Sequence, residues 1–238
     1  MTTSQTPAGD DGQLLVGRNL HKSFGQTVAL AGASLSVAAG EILAIMGPSG
    51  SGKSTLLHCL AGILPPDSGE TWFAGVRTDH LNDSARTELR RTSFGFVFQF
   101  GQLVPELTAE ENVALPLLLN GVRRGPAVDA ARLWLVRLGL DGVGARRSGE
   151  LSGGQAQRVA LARGLVTKPR VLFADEPTGS LDSLTGEQVM EHLVDAARTE
   201  GTTVVLVTHE PRVAAYADRE VMVRDGRVSA GRPQLATP

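Results

Sequence analysis

Residues 47–54, GPSGSGKS, have the types and spacing needed to hold a chain of phosphates. They match the pattern G-x-x-x-x-G-K-[ST], and they lie between an apolar run, EILAIM, and a helical run, KSTLLHCL. Glycines let successive backbone N–H groups converge on phosphate oxygens, and the start of a helix adds its positive dipole end. In this arrangement Lys53 reaches the β and γ phosphates, and the Ser54 hydroxyl ligates Mg²⁺. The sequence therefore predicts a nucleotide site.

A pair of carboxylates, Asp175 and Glu176, follows four apolar residues in the stretch VLFADE. This pattern places both at the C-terminal edge of a buried strand, where open α/β sheets bind their ligands. Asp175 is suited to hold Mg²⁺ through water, and Glu176 is suited to polarise an attacking water as a general base. The alternative is an exposed charge cluster at the end of a strand. The pair favours hydrolysis, because a kinase needs no second carboxylate here.

A second glycine stretch, LSGGQAQR at residues 151–158, begins a predicted helix. Serine followed by two glycines is by itself a common helix start. In a chain that also has a phosphate loop, it predicts a second anion site built from backbone N–H groups, a hydroxyl and the helix dipole. One chain with one phosphate loop offers no second nucleotide to this site.

The elements that must position these residues begin with strands. Strands are predicted around LVGRNLHKSF and ASLSV, and EILAIM is predicted to be a buried strand. A helix follows the phosphate loop as far as Pro65. Phenylalanines at 94, 96, 98 and 100 have a period of two, which predicts one face of a strand that runs into a loop.

The second half of the chain is predicted to be helical and then α/β. Residues from about 101 to 157 have a helical pattern, with Thr108 and Glu111 spaced as a capping box. A strand RVLFAD, a helix GEQVMEHLVDAAR and a strand TTVVLVT follow. Asp225 and Gly226 predict a two-residue hairpin near the C-terminus.

The composition limits the class of protein. Acidic and basic residues nearly cancel, 25 against 23, so no strong whole-chain field favours nucleic acid or an anionic membrane surface. The single cysteine, Cys59, excludes an intramolecular disulfide and is predicted to be a core residue. Residues 1–13 lack the regions of a signal peptide and are expected to form a flexible tail of a cytoplasmic protein. The longest apolar runs fall short of the roughly 18 to 20 residues that cross a bilayer.

Taken in order, Gly47–Thr55, Gln99, LSGGQ, LFADE, SLD and His209 resemble the ATP-binding subunits of ABC transporters, over roughly residues 14–228. The resemblance implies an α/β fold of the P-loop NTPase class, with a RecA-like core, an N-terminal antiparallel β subdomain and an inserted α-helical subdomain at about 101–157. All of it forms one ABC ATPase domain, residues 14–238. ATP hydrolysis is the implied activity, with ATP and Mg²⁺ as cofactors. The residues implied to bind ATP are Phe24, Gly47, Pro48, Ser49, Gly50, Ser51, Gly52, Lys53, Ser54 and Thr55.

The resemblance also gives the second glycine stretch a ligand. Each copy is expected to present it to the nucleotide held by another copy, in a head-to-tail homodimer that closes around two ATP molecules. The helical subdomain then acts as an arm, which ATP ties to the partner and hydrolysis releases. The residues implied to face the ATP of the partner subunit are Leu151, Ser152, Gly153, Gly154, Gln155 and Asp182.

The resemblance assigns three catalytic residues: Glu176 as the base, Gln99 against Mg²⁺ and the attacking water, and His209 against the γ-phosphate. The implied metal ligands are Ser54, Gln99 and Asp175. A solvated loop glutamine at 99 and a structural histidine at 209 are the alternatives.

Two positions depart from the family pattern. Phe24 stands where the family stacks an aromatic residue, usually tyrosine, on adenine. A core phenylalanine is the alternative reading of Phe24. Ser180 replaces the more usual asparagine or alanine of its motif, which leaves its contacts open.

Two longer stretches, FGFVFQFGQLVPELTAEENVALPLLLNG and LFADEPTGSLDS, are similar to one branch of the family. That branch serves macrolide and peptide export, lipoprotein release and cell division, and its ATPases work with an integral-membrane permease. Phe100, Leu103, Val104 and Leu107 lie where such an ATPase receives the permease, so docking is expected near Phe100–Leu107. Ordinary packing of the arm is the alternative. The chain is expected on the inner face of the cell membrane, held there by the permease.

Two other functions stay open from the sequence. One is a soluble ABC ATPase that acts on DNA or the ribosome, although one cysteine, one motif set and no heptad run speak against it, and no nucleic acid is expected as a partner. The other is a signalling module that closes without productive hydrolysis, against which the presence of Glu176 argues.

Overall fold

The protein is described by a computed structural model that covers residues 12–230, so most of the predicted tail, residues 1–11, lies outside the described residues. Its contacts form two compact units: residues 12–90 with 203–230, and residues 91–202. The strands are β1 (Gln13–Phe24), β2 (Thr27–Ala38), β3 (Ile42–Met46), β4 (Ser68–Phe73), β5 (Val76–Arg77), β6 (Phe94–Phe98), β7 (Val171–Asp175), β8 (Thr203–Val207), β9 (Arg219–Arg224) and β10 (Arg227–Ala230). The helices are α1 (Lys53–Leu60), α2 (Asp83–Ser93), α3 (Ala109–Leu119), α4 (Arg124–Arg137), α5 (Gly153–Leu165), α6 (Ser183–Glu200) and α7 (Pro211–Ala214), with a 3₁₀ turn at Ser148–Glu150.

An antiparallel sheet in the first unit has the strand order β2-β1-β4-β5. β1 begins at Gln13, the last residue of the predicted tail. On β2, Ala33, Leu35 and Val37 are buried while the residues between them are not, which is the period of a half-buried strand. The predicted N-terminal antiparallel sheet is therefore confirmed.

Parallel strands in the same unit carry the phosphate loop. β3 lies between β8 and β9 and pairs in parallel with both, and β10 pairs antiparallel with β9. Every residue of β3 and β8 is buried, as is usual for strands covered on both faces. Asp225 and Gly226 have φ values of +48° and +69°, the left-handed pair that the predicted hairpin requires.

The second unit pairs β6 with β7 in parallel and places α3, α4 and α5 between them in sequence. The predicted capping box begins α3, since Thr108 Oγ1 accepts from the Glu111 N–H at 3.3 Å and Glu111 Oε2 accepts from the Thr108 N–H at 3.1 Å. Gly201, with φ of +68°, ends α6. Within residues 12–230, no helix has the length and apolar character needed to span a membrane.

Phenylalanine packing in β6 differs from the predicted pattern at its last residue. The rings of Phe94 and Phe96 lie 5.2 and 5.7 Å from that of Phe173, and Phe98 stacks on Phe96 at 6.1 Å. Phe100 is not on the strand and is 73% exposed. The strand ends at Phe98 because the chain turns at the next residues, where Gly101 has a φ of +67°.

The structure corrects one helix prediction and adds one helix that was not predicted. α1 ends at Leu60, short of Pro65, because the chain turns at Gly62, whose φ is +63°. α2 was absent from the predicted elements. None of its residues is buried, so its sequence, DSARTELRRTS, has no apolar stripe that could reveal a helix.

Cys59 lies on α1 and is 1% exposed, which confirms it as a core residue. Burial raises its pKa to about 12, so the thiol is protonated and shielded. We expect a thiol reagent such as dithionitrobenzoate to leave the native protein unlabelled at neutral pH and to label it once the chain is unfolded in guanidinium. Rapid labelling of the native protein would contradict this packing.

Candidate functional site

The phosphate loop, residues 47–54, connects β3 to α1 in the first unit. Gly47 and Gly52 have φ values of +150° and +102°. A Cβ at Gly47 would lie 2.2 Å from the Val223 carbonyl oxygen, and one at Gly52 would lie 2.3 Å from the Ala29 carbonyl oxygen. Backbone carbonyl groups of neighbouring strands therefore lie against the loop at both positions, and only glycine fits there.

Two side chains of this loop fit a phosphate group. Lys53 is 6% exposed, and its ammonium donates to the carbonyl oxygens of Gly47 and Pro48, each at 2.9 Å, so it folds back over the loop. The Ser51 hydroxyl oxygen is buried and has no hydrogen-bond partner in the described part of the chain. Burying such a group unpaired costs about 1–3 kcal/mol, which a hydrogen bond to a phosphate oxygen would offset.

His209 lies at the same edge of the sheet as the phosphate loop. β8 pairs with β3 so that Val207 is opposite Ile45, and the Thr208 N–H donates to the Ile45 carbonyl oxygen at 3.2 Å. Because β3 leads into Gly47, this register brings the segment that carries His209 beside the start of the loop. The His209 side chain is exposed, and so it is not a core histidine.

Phe24 ends β1 and is 53% exposed, with Lys22 Nζ 6.0 Å from its ring centroid. The alternative of a core phenylalanine is therefore wrong. An exposed flat ring is available to stack on a base, and stacking on adenine stays a prediction.

In the second unit, β6 and β7 place Gln99 beside Glu176. Phe98 is opposite Asp175, so the next residue of each strand leaves the sheet at the same edge. A Cβ on Gly179 would lie 2.8 Å from Gln99 Nε2 and 3.2 Å from Glu176 Oε2. The Gln99 amide and the Glu176 carboxylate therefore both border the space beside Gly179. Glu176 has a φ of +47°, a conformation uncommon for a residue with a side chain and frequent at functional sites.

The second glycine stretch begins α5, as predicted. Ser152 Oγ accepts from the Gln155 N–H at 3.3 Å, and Gln155 Oε1 accepts from the Ser152 N–H at 3.0 Å, which forms a capping box. The first helical bond of α5 joins the Ala156 N–H to the Ser152 carbonyl oxygen, at 2.8 Å. The N–H groups of Gly153 and Gly154 come before it in the chain, where a helix offers no acceptor of its own. Ser152 and Gly153 are exposed. This helix start can bind an anion.

The start of α5 packs against the start of α6. A Cβ on Gly154 would lie 2.3 Å from Thr185 Cγ2, so the approach requires glycine. Asp182 caps α6 by accepting from the Thr185 N–H at 3.0 Å and from the Thr185 hydroxyl at 2.7 Å. These bonds lower the pKa of Asp182 below its usual value. Asp182 is thus ionised and bonded within its own chain, and its contact with a partner subunit stays a prediction.

The structure therefore places the predicted residues in two groups, one in each unit. The first unit contains Phe24, His209 and the loop Gly47–Thr55, and it brings His209 to the edge of the sheet that carries the loop. The second unit brings Gln99 and Glu176 together. It also contains Asp175, Asp182 and the five residues Leu151, Ser152, Gly153, Gly154 and Gln155.

One side chain that anchors the segment after Gln99 was missed in the sequence. Asn112 is 1% exposed, its Oδ1 accepts from the Val104 N–H at 2.8 Å, and its Nδ2 donates to the Val104 and Leu107 carbonyl oxygens at 3.1 and 3.3 Å. The sequence feature that could have indicated this role is that Asn112 is the single polar residue of the run NVALPLLL. Phe100, at 73% exposure, is the one large hydrophobic side chain of the described segment that is exposed.

A family model described as ABC transporter matches residues 30–179, which include the phosphate loop, Gln99, the LSGGQ stretch and Glu176. The chain belongs to the ABC transporter family. As an ABC subunit it binds ATP and has the family's ATPase activity.

Curated relatives of this ABC subunit match nearly its whole length. It is 47% identical over 221 residues to the lipoprotein-releasing system ATP-binding protein LolD of Geobacter metallireducens, covering 91% of this chain and 98% of the relative. It is 48% identical over 207 residues to LolD of Ruegeria pomeroyi, covering 87% and 90%. These matches confirm the predicted branch and favour a transporter subunit over a soluble ABC ATPase or a signalling module.

Solved structures show the same fold. The dimeric structure of MJ0796, a bacterial ABC transporter cassette, has a TM-score of 0.87 at 37% identity and covers 94% of this ABC subunit and 100% of that chain. A dimeric post-hydrolysis state of MJ0796 bound to ADP and Pi has a TM-score of 0.86. The predicted α/β fold of the P-loop NTPase class is therefore confirmed.

Proposed function

We propose that this ABC subunit uses ATP binding and hydrolysis to drive an integral-membrane permease of the lipoprotein-releasing type. Its identity of 47–48% to LolD proteins along almost the full chain supports this choice. The subunit lies on the cytoplasmic face of the membrane, where the permease holds it, and it does not itself touch the cargo.

The observation that carries this proposal is the position of Phe100. It directly follows Gln99 and is 73% exposed. Arg163 fixes the backbone that follows, because its guanidinium donates to the Gly101 and Gln102 carbonyl oxygens at 2.7 and 2.8 Å. An exposed aromatic ring on a fixed loop is suited to anchor a partner in a pocket. A force on Phe100 then acts on the same backbone that carries Gln99, while Leu103, Val104 and Leu107 are half-buried beside it.

Two ATP molecules close a head-to-tail homodimer in this proposal. The exposed helix start at Ser152 and Gly153 binds the γ-phosphate of the ATP that the partner subunit holds, and Leu151, Gln155 and Asp182 complete this surface. The MJ0796 structures are dimers, which supports the arrangement. Closure moves the docked permease, and hydrolysis releases the subunits.

The chemistry of hydrolysis is proposed to use Glu176 as the base that accepts a proton from the attacking water. His209 contacts the γ-phosphate and orients that water. The Ser54 hydroxyl, the Gln99 amide oxygen and the Asp175 carboxylate are hard oxygen donors of the kind that Mg²⁺ prefers. When bound, Mg²⁺ neutralises charge on the phosphate oxygens.

Phe100→Glu tests the docking surface. Leu133→Glu is its matched control, because Leu133 lies in the same unit and is 72% exposed. The tagged wild-type subunit and Leu133→Glu are expected to co-purify with the same membrane protein from detergent extracts of the native cells. Phe100→Glu is expected to bind that protein roughly 30-fold more weakly, since a central aromatic anchor is worth about 2 kcal/mol or more. Retention by Phe100→Glu with loss by Leu133→Glu would place the docking surface on α4 instead.

A further inference from the structure

The loop from Phe98 to Gln102 is held through its carbonyl oxygens. Gln157 Nε2 donates to the Phe98 oxygen at 2.9 Å, and the Ser180 hydroxyl donates to the Gln99 oxygen at 2.8 Å. Arg163 donates to the next pair, the oxygens of Gly101 and Gln102, at 2.7 and 2.8 Å. The Phe100 oxygen accepts from the Gln102 N–H at 2.7 Å. Every carbonyl of the loop is therefore engaged, four of them by side chains.

These side chains come from two places in the second unit. Gln157 and Arg163 lie on α5, the helix that begins at the second glycine stretch. Burial lowers the pKa of the half-buried Arg163 guanidinium, and its bonds to the two loop carbonyls offset part of the cost of removing that charge from water. Ser180 instead lies between Glu176 and Asp182. The segment that follows the proposed base thus reaches back to the backbone of Gln99.

Gly179 lies against the side chain of Gln99. Its φ is not positive, so backbone conformation alone does not require glycine there. The requirement is one of space, since a Cβ would lie 2.8 Å from Gln99 Nε2, 3.4 Å from Gln99 Cδ and 3.2 Å from Glu176 Oε2. Real Cβ atoms essentially never approach another heavy atom to under 3.0 Å. The missing side chain of Gly179 is what allows the Gln99 amide to lie beside the Glu176 carboxylate.

We propose that Gly179 and Ser180 are positioning residues for Gln99. Ser180 fixes its backbone through the carbonyl oxygen, and Gly179 leaves the space that its amide occupies. This inference rests on the proposed roles of Gln99 and Glu176, and it deepens them by making the orientation of Gln99 depend on the segment that follows the base within the same chain.

Gly179→Ala is the first test. The three atoms nearest to the added methyl group belong to the flexible ends of two side chains, so we expect the variant to fold and its KM for ATP to be unchanged. Displacement of the amide is expected to lower kcat by about 10- to 100-fold, as misplacement of a reacting group by about 1 Å does. We also expect the Mg²⁺ concentration for half-maximal activity to rise. Gly149→Ala is the control, because a Cβ at Gly149 has nothing within 4 Å.

A double-mutant cycle shows whether the effect acts through Gln99. In a Gln99→Ala background, Gly179→Ala is expected to cause less than about a twofold further loss, because no amide remains to be displaced. An undiminished loss in that background would overturn the inference. The proposed chemistry is tested separately, since it fails if Glu176→Gln still turns over ATP at the wild-type rate.

Ser180 is tested by two substitutions. Ser180→Ala removes the bond to the Gln99 carbonyl and is expected to lower kcat several-fold without changing the midpoint of thermal unfolding. Ser180→Thr keeps a hydroxyl and is expected to restore most of the rate. Equal activity of Ser180→Ala and the wild type would overturn the role of Ser180, as would equal loss in the alanine and threonine variants.

Discussion

Glu176→Gln is expected to lower ATP turnover by about 10²- to 10⁴-fold, the contribution of a positioned general base. Glutamine keeps the size and polarity of the side chain but cannot accept the proton. Binding and closure need no proton transfer, so the variant should retain ATP. We therefore expect size-exclusion chromatography with light scattering to show a stable homodimer in ATP and Mg²⁺, and a monomer without nucleotide.

Glu187→Gln controls for the loss of one negative charge. Glu187 is exposed on α6 in the same unit. Its substitution by glutamine is expected to leave both ATP turnover and dimerisation as they are in the wild type. A Glu176→Gln protein that stays monomeric with saturating ATP contradicts the cross-chain arrangement. One that hydrolyses ATP normally contradicts the assignment of the base.

Gly153→Asp is expected to abolish the ATP-dependent dimer while leaving ATP binding to the monomer intact. A carboxylate at this helix start would face the γ-phosphate of the partner subunit's ATP, and like charges apposed in an interface cost several kcal/mol, about 100-fold or more in affinity. The fold should tolerate the change, because a Cβ would come within 3.3 Å only of the flexible end of Leu181, and aspartate favours the first turn of a helix.

Gly125→Asp is the matched control for this substitution. Gly125 is also an exposed glycine in the first turn of a helix, α4, and a Cβ there has nothing within 4 Å. Both substitutions are made in the Glu176→Gln background, where the dimer is expected to be long-lived. The helix start does not meet the nucleotide if the Gly153→Asp variant dimerises at the same ATP concentrations as the Glu176→Gln protein without it.

Where local rules suffice, the elements of the fold were predictable from the sequence. The hairpin at Asp225 and Gly226 and the capping box at Thr108 and Glu111 depend on contacts within a few residues, so their residue types predict them. The helix α2 was missed because a surface helix is recognised in a sequence by the apolar residues of its buried face, and α2 buries none of its residues. Phe100 was placed on a strand that ends two residues earlier, because alternation in sequence does not reveal where pairing with a neighbouring strand stops.

The sequence by itself determined which motifs are present: a phosphate-loop pattern at Gly47–Ser54, a carboxylate pair at the end of a buried strand, and a glycine-rich helix start at Ser152. Each depends on a short run of residues whose backbone geometry is local. Only the tertiary structure decided that Phe24 is exposed, that Gln99 and Glu176 leave adjacent strands at the same edge, and that Gly179 and Ser180 lie against Gln99. These facts depend on strand register and on contacts between residues up to 81 positions apart in the chain, and no local pattern encodes such contacts.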